Sequence, residues 1–272
     1  RMIAGGDVQR AAGAGESIRA GTIVIRSGGD VVATTEGGST RLSVSGRTVT
    51  LVHQGGSAVI VDDAGSDQVK NTATAGSYRL SLDGAIPGDI TSASLPGAPG
   101  AATDAVSADT IVLQAAGGTI GANAAQPLKI ASLTGRTALT AAARAVFVAQ
   151  MIGSTDLTTA GVLANRAAAD RTYALQVVNG AIGGTGTIEA GRIVLQASGA
   201  VSAATRGATT LSASGTGVTV DHTGGAVVLK DYDAAEGAVT TVTNRAEGGQ
   251  YKLVAAGDIT SASDVTGSAD RI

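Results

Sequence analysis

Cysteine and tryptophan are absent from this chain, and aromatic residues make up only 2% of it. The absence of cysteine excludes disulfide bonds and thiolate metal sites. It does not exclude export, because large secreted β-proteins fold without disulfides. A core that lacks large aromatic anchors has to be built from valine, isoleucine, leucine and alanine, so we expect a regular, shallow interior layer.

Charged residues are also scarce, at 15% of the chain, and the net charge is −3. Nucleic-acid-binding surfaces need clustered basic residues, so this balance argues against a nucleic-acid partner. Glycine, threonine, serine and aspartate interrupt every hydrophobic stretch, and none approaches the roughly 18 residues of a membrane-spanning helix. We therefore predict a soluble chain without membrane insertion. No secretory signal is visible, and the strand-like opening "RMIAGGDV" predicts a segment of a longer protein.

Glycine is abundant, with 40 residues, and short phrases recur between the glycines. "TIVIR", "TIVLQ", "RIVLQ" and the final "DRI" align through one isoleucine each, at Ile23, Ile111, Ile193 and Ile272. Tyrosine recurs in the same order, at Tyr78, Tyr173 and Tyr251, and the phrase "GDITSAS" occurs at 88–94 and again at 257–263. The mean spacing predicts a repeat of about 83 residues. We assign one segment over 1–272, with periods at about 23–110, 111–192 and 193–272, preceded by the end of another period in 1–22.

Within each period, short runs of valine, isoleucine and leucine begin roughly every 20 residues and end at a glycine-containing turn, which is typical of β-strands. Units of this size match one coil of a β-helix. The sequence therefore predicts an all-β, right-handed parallel β-helix (a solenoid) of about 13 coils. Only Thr137–Ile152 is alanine-rich enough to favour a helix, and its place in the repeat predicts strand. A tandem β-sandwich or a propeller fits less well, since both usually carry large aromatic residues.

The phrases "ADTIVLQAAGGTIGA", "AGRIVLQASGAVSA" and "YKLVAAGDITSAS" resemble the repeats of filamentous-haemagglutinin-like exoproteins, the secreted adhesins of two-partner secretion systems. The resemblance covers essentially the whole chain. It implies a β-helical shaft that is exported through an outer-membrane transporter and is secreted or held at the bacterial cell surface. It also implies a role in cell adhesion, biofilm formation or toxin display, with host or neighbouring-cell surfaces bound by regions outside this segment.

The only two histidines, His53 and His222, each lie shortly before a Gly-Gly pair. Histidine pairs are common metal ligands. In the predicted stack, however, these two would lie about eight coils, or ~40 Å, apart. They therefore cannot share a metal ion, and we predict that both are corner or turn residues.

Acidic residues cluster after two equivalent strands and raise the possibility of calcium binding. They are Asp62, Asp63 and Asp67 in one period and Asp231, Asp233 and Glu236 in another. We interpret them as solvated loops, because the glycine-rich ladder of calcium-binding β-rolls is missing. A second set follows glycine at strand starts: Asp7, Asp30, Asp89 and Asp258. We interpret these as turn caps rather than catalytic carboxylates.

The sequence therefore predicts a structural, non-enzymatic shaft, with no catalytic, cofactor-binding or metal-binding residue and no cofactor. Two alternatives remain open. One is a subunit of a self-assembling extracellular filament whose coils stack end to end. The other is a polysaccharide-active β-helix enzyme or tailspike-type module, which a groove with convergent carboxylates and basic residues would favour.

Overall fold

The computed structural model describes residues 1–9, 17–62, 71–74, 76–82, 87–94, 106–229, 244–247 and 250–261. Every regular element among them is a β-strand. The strands are β1 (Met2–Ala4), β2 (Ile18–Arg19), β3 (Thr22–Ser27), β4 (Val31–Gly46), β5 (Val49–Asp62), β6 (Thr72–Ala73), β7 (Ser77–Leu82), β8 (Ile90–Ser94), β9 (Val106–Ser107), β10 (Thr110–Ile120), β11 (Leu128–Leu157), β12 (Asn165–Arg166), β13 (Thr172–Val177), β14 (Ile182–Gly184), β15 (Thr187–Glu189), β16 (Arg192–Ala197), β17 (Val201–Arg206), β18 (Thr209–Gly215), β19 (Val218–Thr223), β20 (Val227–Leu229), β21 (Arg245–Ala246), β22 (Tyr251–Ala255) and β23 (Ile259–Ser261). The all-β prediction is confirmed, as is the strand over Thr137–Ile152, which lies inside β11.

All 23 strands belong to one sheet, and every pairing between them is parallel, so each segment lies beside the corresponding segment of the next turn. Two runs of paired residues trace this stacking through the chain. The first stack passes through Thr34, Val52, Ser81, Gln114, Ala142, Arg166, Glu189, Arg206 and Thr223. The second stack passes through Thr40, Ala58, Ile90, Ile120, Val146, Tyr173, Ile193, Leu211 and Leu229. This long parallel arrangement fits the predicted solenoid.

The core is one continuous column between the stacks. Alternate residues of each strand point inward, and small β-branched or aliphatic side chains stack on their equals in the next turn. Ile90, Ile120 and Ile193 of the second stack are fully buried, as are Leu51 and Leu80 of the first. Aromatic residues are scarce, but Tyr78, Tyr173 and Tyr251 are buried in the same column.

The chain length between stacked partners varies. Thr205 and His222 lie 17 positions apart, whereas Ser57 and Asp89 lie 32 apart, although each pair joins adjacent turns. The additional residues form excursions at the corners. Two excursions are fully described, the turns at 121–127 and 158–164, each closed by a single antiparallel bridge. Apart from a register shift between Ala115 and Thr119 of β10, the paired strand segments keep their register, and the connections between them absorb the insertions.

Residues separated by one predicted period lie in different stacks. Tyr78 and Ile111 pair with each other in the first stack, whereas Tyr173 and Ile193 pair with each other in the second. Residues separated by two periods return to the same stack, as Ile90 and Ile259 of the two "GDITSAS" phrases do by way of Ala58 and Val227. One predicted period therefore carries the chain from one stack to the other, that is, through a whole number of turns plus about half a turn.

Candidate functional site

The two histidines are buried strand residues, so their prediction as corner or turn residues is wrong. His53 lies in β5 and His222 in β19, at equivalent places in the first stack, and both side chains are inaccessible to solvent. Each Nδ1 atom lies within hydrogen-bond distance of a threonine Oγ1 in the preceding turn, 2.9 Å for Thr35 and 3.0 Å for Thr205. The sequence suggested a turn because a Gly-Gly pair follows each histidine. In the structure, alternate side chains point inward up to the end of the strand, and the histidine occupies one of these inward positions.

The Nε2 atoms of both histidines are buried and make no hydrogen bond. Burial lowers the pKa of His53 below its usual value. Burial likewise lowers the pKa of His222, against smaller opposing effects of the nearby Gly225 backbone and of the Asp221 charge. Neutral imidazole is therefore the form that the core accommodates. The two rings belong to different turns, and no cluster of three or more metal-ligating side chains occurs among the described residues.

The acidic clusters predicted as solvated loops lie almost entirely outside the described residues. Asp62 is the last residue of β5. Asp63, Asp67, Asp231, Asp233 and Glu236 are not described. Both the calcium hypothesis and the solvated-loop interpretation stay predictions.

Two of the four aspartates that follow glycine, Asp7 and Asp89, cap turns in the way the sequence predicts. Oδ1 of Asp7 accepts a hydrogen bond from the backbone N–H of Asp30 (2.8 Å), one turn further on, and Oδ1 of Asp89 accepts one from Thr119 (2.7 Å). Asp30 instead forms a two-point ion pair with Arg47 (2.9 and 3.0 Å), whose guanidinium lowers the pKa of that carboxyl. The side chain of Asp258 is exposed, while its backbone carbonyl accepts from Val227. The carboxylates of Asp7, Asp30 and Asp89 therefore have structural partners, and they lie on different turns.

Three buried asparagines, which the sequence analysis missed, explain the recurrence of tyrosine. The Oδ1 atom of each asparagine accepts one hydrogen bond from a tyrosine hydroxyl and one from a backbone N–H of the preceding turn. The pairs are Asn71 with Tyr78, Asn165 with Tyr173, and Asn244 with Tyr251, and the amides belong to Val44, Ala141 and Ala213. The signal was present, because an asparagine precedes each of these tyrosines by seven or eight positions.

A cleft at the outer edge of the second stack is the best candidate for a binding site. Its volume is about 280 Å³. Its lining consists of Thr119, Ala122, Asn123, Arg144, Ala145, Phe147, Arg171 and Thr172. One wall is the turn at 121–127, and the other is a corner shared by two adjacent turns of the solenoid.

The turn wall is held by its own hydrogen bonds. Gly121 takes a left-handed conformation (φ 74°), which lets the chain leave β10 sharply. Oδ1 of Asn123 then accepts hydrogen bonds from the backbone N–H groups of Ala125 and Gln126, both at 2.9 Å. An asparagine whose side chain binds the backbone two and three residues on is a common way to close such a turn.

The corner wall carries two arginines on neighbouring turns. Arg144 and Arg171 each come two residues before a paired second-stack residue, Val146 and Tyr173. The carbonyl of Arg144 accepts from the N–H of Ala168, whose carbonyl accepts from the N–H of Arg171, both at 2.9 Å. This places both arginine backbones at one corner. Sequence analysis missed the pair because the surrounding phrases differ, "ARAVF" against "DRTYA".

The cleft is electrostatically positive. Two guanidinium groups line it, and no carboxylate does. Arg144 is exposed and has no ion pair within the described part of the chain. Arg171 is half-buried; its Nε atom lies 3.3 Å from Oδ2 of Asp170 but makes no hydrogen bond. Such a site can hold an anionic group, but it lacks the carboxylate pair that acid–base hydrolysis of a sugar chain uses.

An apolar patch continues from the floor of the cleft. Phe147, the only phenylalanine of the chain, packs with Ala145, Ala174 and Val194 in a cluster separate from the central column. Ala124 of the turn at 121–127 covers part of it. This buried apolar cluster therefore adjoins the positive cleft, and Ala145 and Phe147 belong to both.

Comparisons of the chain with protein-family models, with curated proteins and with solved structures give no match. No helix long and apolar enough to cross a membrane occurs in the part of the chain that the structure describes. The chemistry of the cleft therefore rests on its own geometry.

Proposed function

We propose that the protein is the structural shaft of a large secreted or cell-surface bacterial exoprotein of adhesin type and that it is not an enzyme. The shaft projects an adhesive or toxin domain that lies outside this segment. It reaches the surface through the outer-membrane transporter of a two-partner secretion system. Host or neighbouring cells are bound through regions beyond the segment.

The observation that carries this proposal is the pair of uninterrupted ladders around one continuous core. Each turn contacts only its neighbours, so each added turn contributes its own stability. Turns can therefore be added or removed without altering the packing of the remaining ones. A stack of parallel strands with a packed interior is stiff, which is the mechanical property that a spacer needs.

In its full form the proposal is a right-handed β-helix over 1–272 with coils of about 20 residues, about 13 coils and three repeats of about 83 residues. At the strand spacing of about 4.8 Å these coils make a rod of ~60 Å. The sequence resemblance supports the handedness, and the Val-, Ile- and Leu-rich beats of the sequence support the coil size.

The test is a pair of deletions in the 272-residue chain, measured by small-angle scattering and electron microscopy. Deletion of residues 193–228 places Leu229 where Ile193 pairs with Tyr173, because these positions follow one another in the second stack. We expect a folded rod that is shorter by two turns, or about 10 Å. Deletion of residues 193–219 instead brings Val220, a first-stack residue, into the second stack, and we expect it not to fold.

Loss of folding in the in-register deletion would contradict an additive shaft. Rods that lengthen without limit as concentration rises would replace the shaft by the filament-subunit alternative. Release of new reducing ends from acidic polysaccharides would overturn the non-enzymatic assignment and favour the tailspike-type alternative.

A further inference from the structure

The shaft function does not use the positive cleft at the edge of the second stack. A spacer requires only that each turn stack on the next, and the corners elsewhere are closed by glycines and aspartate caps. The turn at 121–127 adds a wall where none is needed for stacking. The cleft therefore calls for an explanation of its own.

The two arginines are placed to grip one carboxylate. They occupy adjacent turns, whose strands are about 4.8 Å apart, so both guanidinium groups lie within reach of a single small anion. A guanidinium donates two parallel hydrogen bonds to a carboxylate. Arg144 has no acidic partner among the described side chains, whereas Nε of Arg171 is buried and lies 3.3 Å from Oδ2 of Asp170. Arg144 therefore supplies the unpaired guanidinium of the cleft, and Arg171 adds positive charge beside it.

The remaining lining residues fit a ligand that carries hydroxyl groups. Thr119 is partly exposed and brings a hydroxyl, which both donates and accepts hydrogen bonds. Oδ1 of Asn123 is engaged by its own turn, whereas its Nδ2 group makes no hydrogen bond within the described residues. Nδ2 is therefore a donor. Beside these groups, Phe147 and Ala145 supply an apolar floor against which the carbon face of a ring can pack.

The volume limits the ligand further. At about 280 Å³ the cleft is at the small end of small-molecule sites, so it accepts one ring with its substituents. The absence of a lining carboxylate leaves no acid–base pair to cleave a glycosidic bond. Recognition without cleavage is what this lining supports.

We propose that the cleft formed by Arg144, Arg171 and the turn at 121–127 binds a single acidic sugar unit of the uronate class. The sugar carboxylate lies between the two guanidinium groups, its hydroxyls face Thr119 and Asn123, and its ring lies against Phe147. This inference concerns the flank of the rod and stands independently of the shaft function.

The test is ligand-observed NMR titration of the 272-residue chain with glucuronate, with glucose as the neutral analogue and with acetate and sulfate as charge-only probes. We expect glucuronate to bind at least about tenfold more tightly than each of the other three, since only it uses both the charged and the hydroxyl-binding parts of the cleft. Arg144→Gln and Arg171→Gln should each weaken glucuronate binding about tenfold.

The matched control is Arg41→Gln. Arg41 is an exposed arginine of β4 in the same sheet, paired with Thr22 and Val59 and outside the cleft. Its substitution should leave glucuronate binding unchanged, and all three variants should melt within a few degrees of the wild-type chain.

Several results would overturn the proposal. Glucuronate binding no tighter than that of glucose would remove the carboxylate contact. Binding that survives both cleft substitutions would place the ligand elsewhere. Sulfate or acetate binding as tightly as glucuronate would mean an adventitious ion only. Within a positive result, tighter binding of a uronate trimer than of the monomer would assign the site to a polysaccharide, and equal affinity would assign it to the free sugar acid.

Discussion

At the scale of single residues, the interior of the solenoid contains a small number of polar groups with defined tasks. Asn165 is the clearest example: its Oδ1 accepts from Tyr173 (2.9 Å) and from the N–H of Ala141 (3.0 Å), and its Nδ2 donates to the carbonyl of Thr158 (2.9 Å). Thr158 begins the excursion at 158–164, and Asn165 begins the strand that follows it. The asparagine therefore anchors the chain where it rejoins the stack, and it satisfies groups that the interrupted strand leaves unpaired.

We expect Tyr173→Phe to lower the free energy of unfolding by about 1 kcal/mol, because it removes one buried hydrogen bond and keeps the ring in place. Asn165→Leu should cost about 2–3 kcal/mol, because it leaves the Tyr173 hydroxyl and the Ala141 N–H without this acceptor, whereas the Thr158 carbonyl keeps its hydrogen bond from Thr140 Oγ1. Urea denaturation followed by circular dichroism measures both changes.

The double variant provides the control for this pair. Once Asn165 is leucine, the tyrosine hydroxyl has no acceptor, so Tyr173→Phe should then cost much less than in the wild-type chain. Fully additive losses would contradict the hydrogen bond between the two side chains.

The buried histidines should make the stability of the protein depend on pH. Burial lowers the pKa of His53 in the folded chain below the 6.5 of an exposed histidine, so the unfolded chain binds more protons between these two values. The free energy of unfolding should therefore fall as the pH drops below about 6.5. Above that pH both states are neutral at this residue and its contribution is constant.

His53→Gln tests this linkage, since glutamine keeps a polar group near Thr35 but does not titrate. We expect the variant to lose less stability than the wild-type chain between pH 7 and pH 5, measured by urea denaturation at each pH. Parallel pH profiles for the two proteins would contradict the contribution of His53. His222→Gln repeats the test at the equivalent position two periods later.

At the scale of elements, the corners between strands set how closely adjacent turns approach. Gly38, Gly56, Gly88 and Gly118 lie at successive turns of one corner, and a Cβ on any of the last three would overlap a backbone atom of the glycine before it. These glycines are required by close approach of two backbones. Glycine is therefore abundant for two reasons: it permits the chain to turn, and at this corner it permits the backbones of adjacent turns to lie close together.

Gly56→Ala should destabilise the protein by about 2 kcal/mol or more, because the new methyl group can fit only if the neighbouring backbone moves. Gly38→Ala is the matched control at the same corner, since a Cβ there meets no atom within 4 Å. It should change the free energy of unfolding by less than about 0.5 kcal/mol. Thermal and urea denaturation of the two variants compare these effects, and equal losses would contradict the close-approach explanation.

At the scale of the whole molecule, the two stacks explain how the sequence repeat is built. Equivalent phrases of successive predicted periods pair in different stacks, so the same phrase serves the first stack in one period and the second stack in the next. Tyr78 and Tyr173 illustrate the change of stack, and the two copies of "GDITSAS" illustrate the return after two periods.

The sequence by itself determined the all-β class, the parallel stacking and the small aliphatic core, because alternation, glycine spacing and the scarcity of aromatic residues are local properties of the chain. It also identified the turn-capping role of Asp7 and Asp89. Only the tertiary structure decided that His53 and His222 point inward, that three asparagines hold the tyrosines, and that Arg144 and Arg171 share a cleft. Those features depend on which residues of successive turns lie side by side. That register depends on insertions of unequal length between the strands, and the mean repeat length taken from the sequence does not show where these insertions lie.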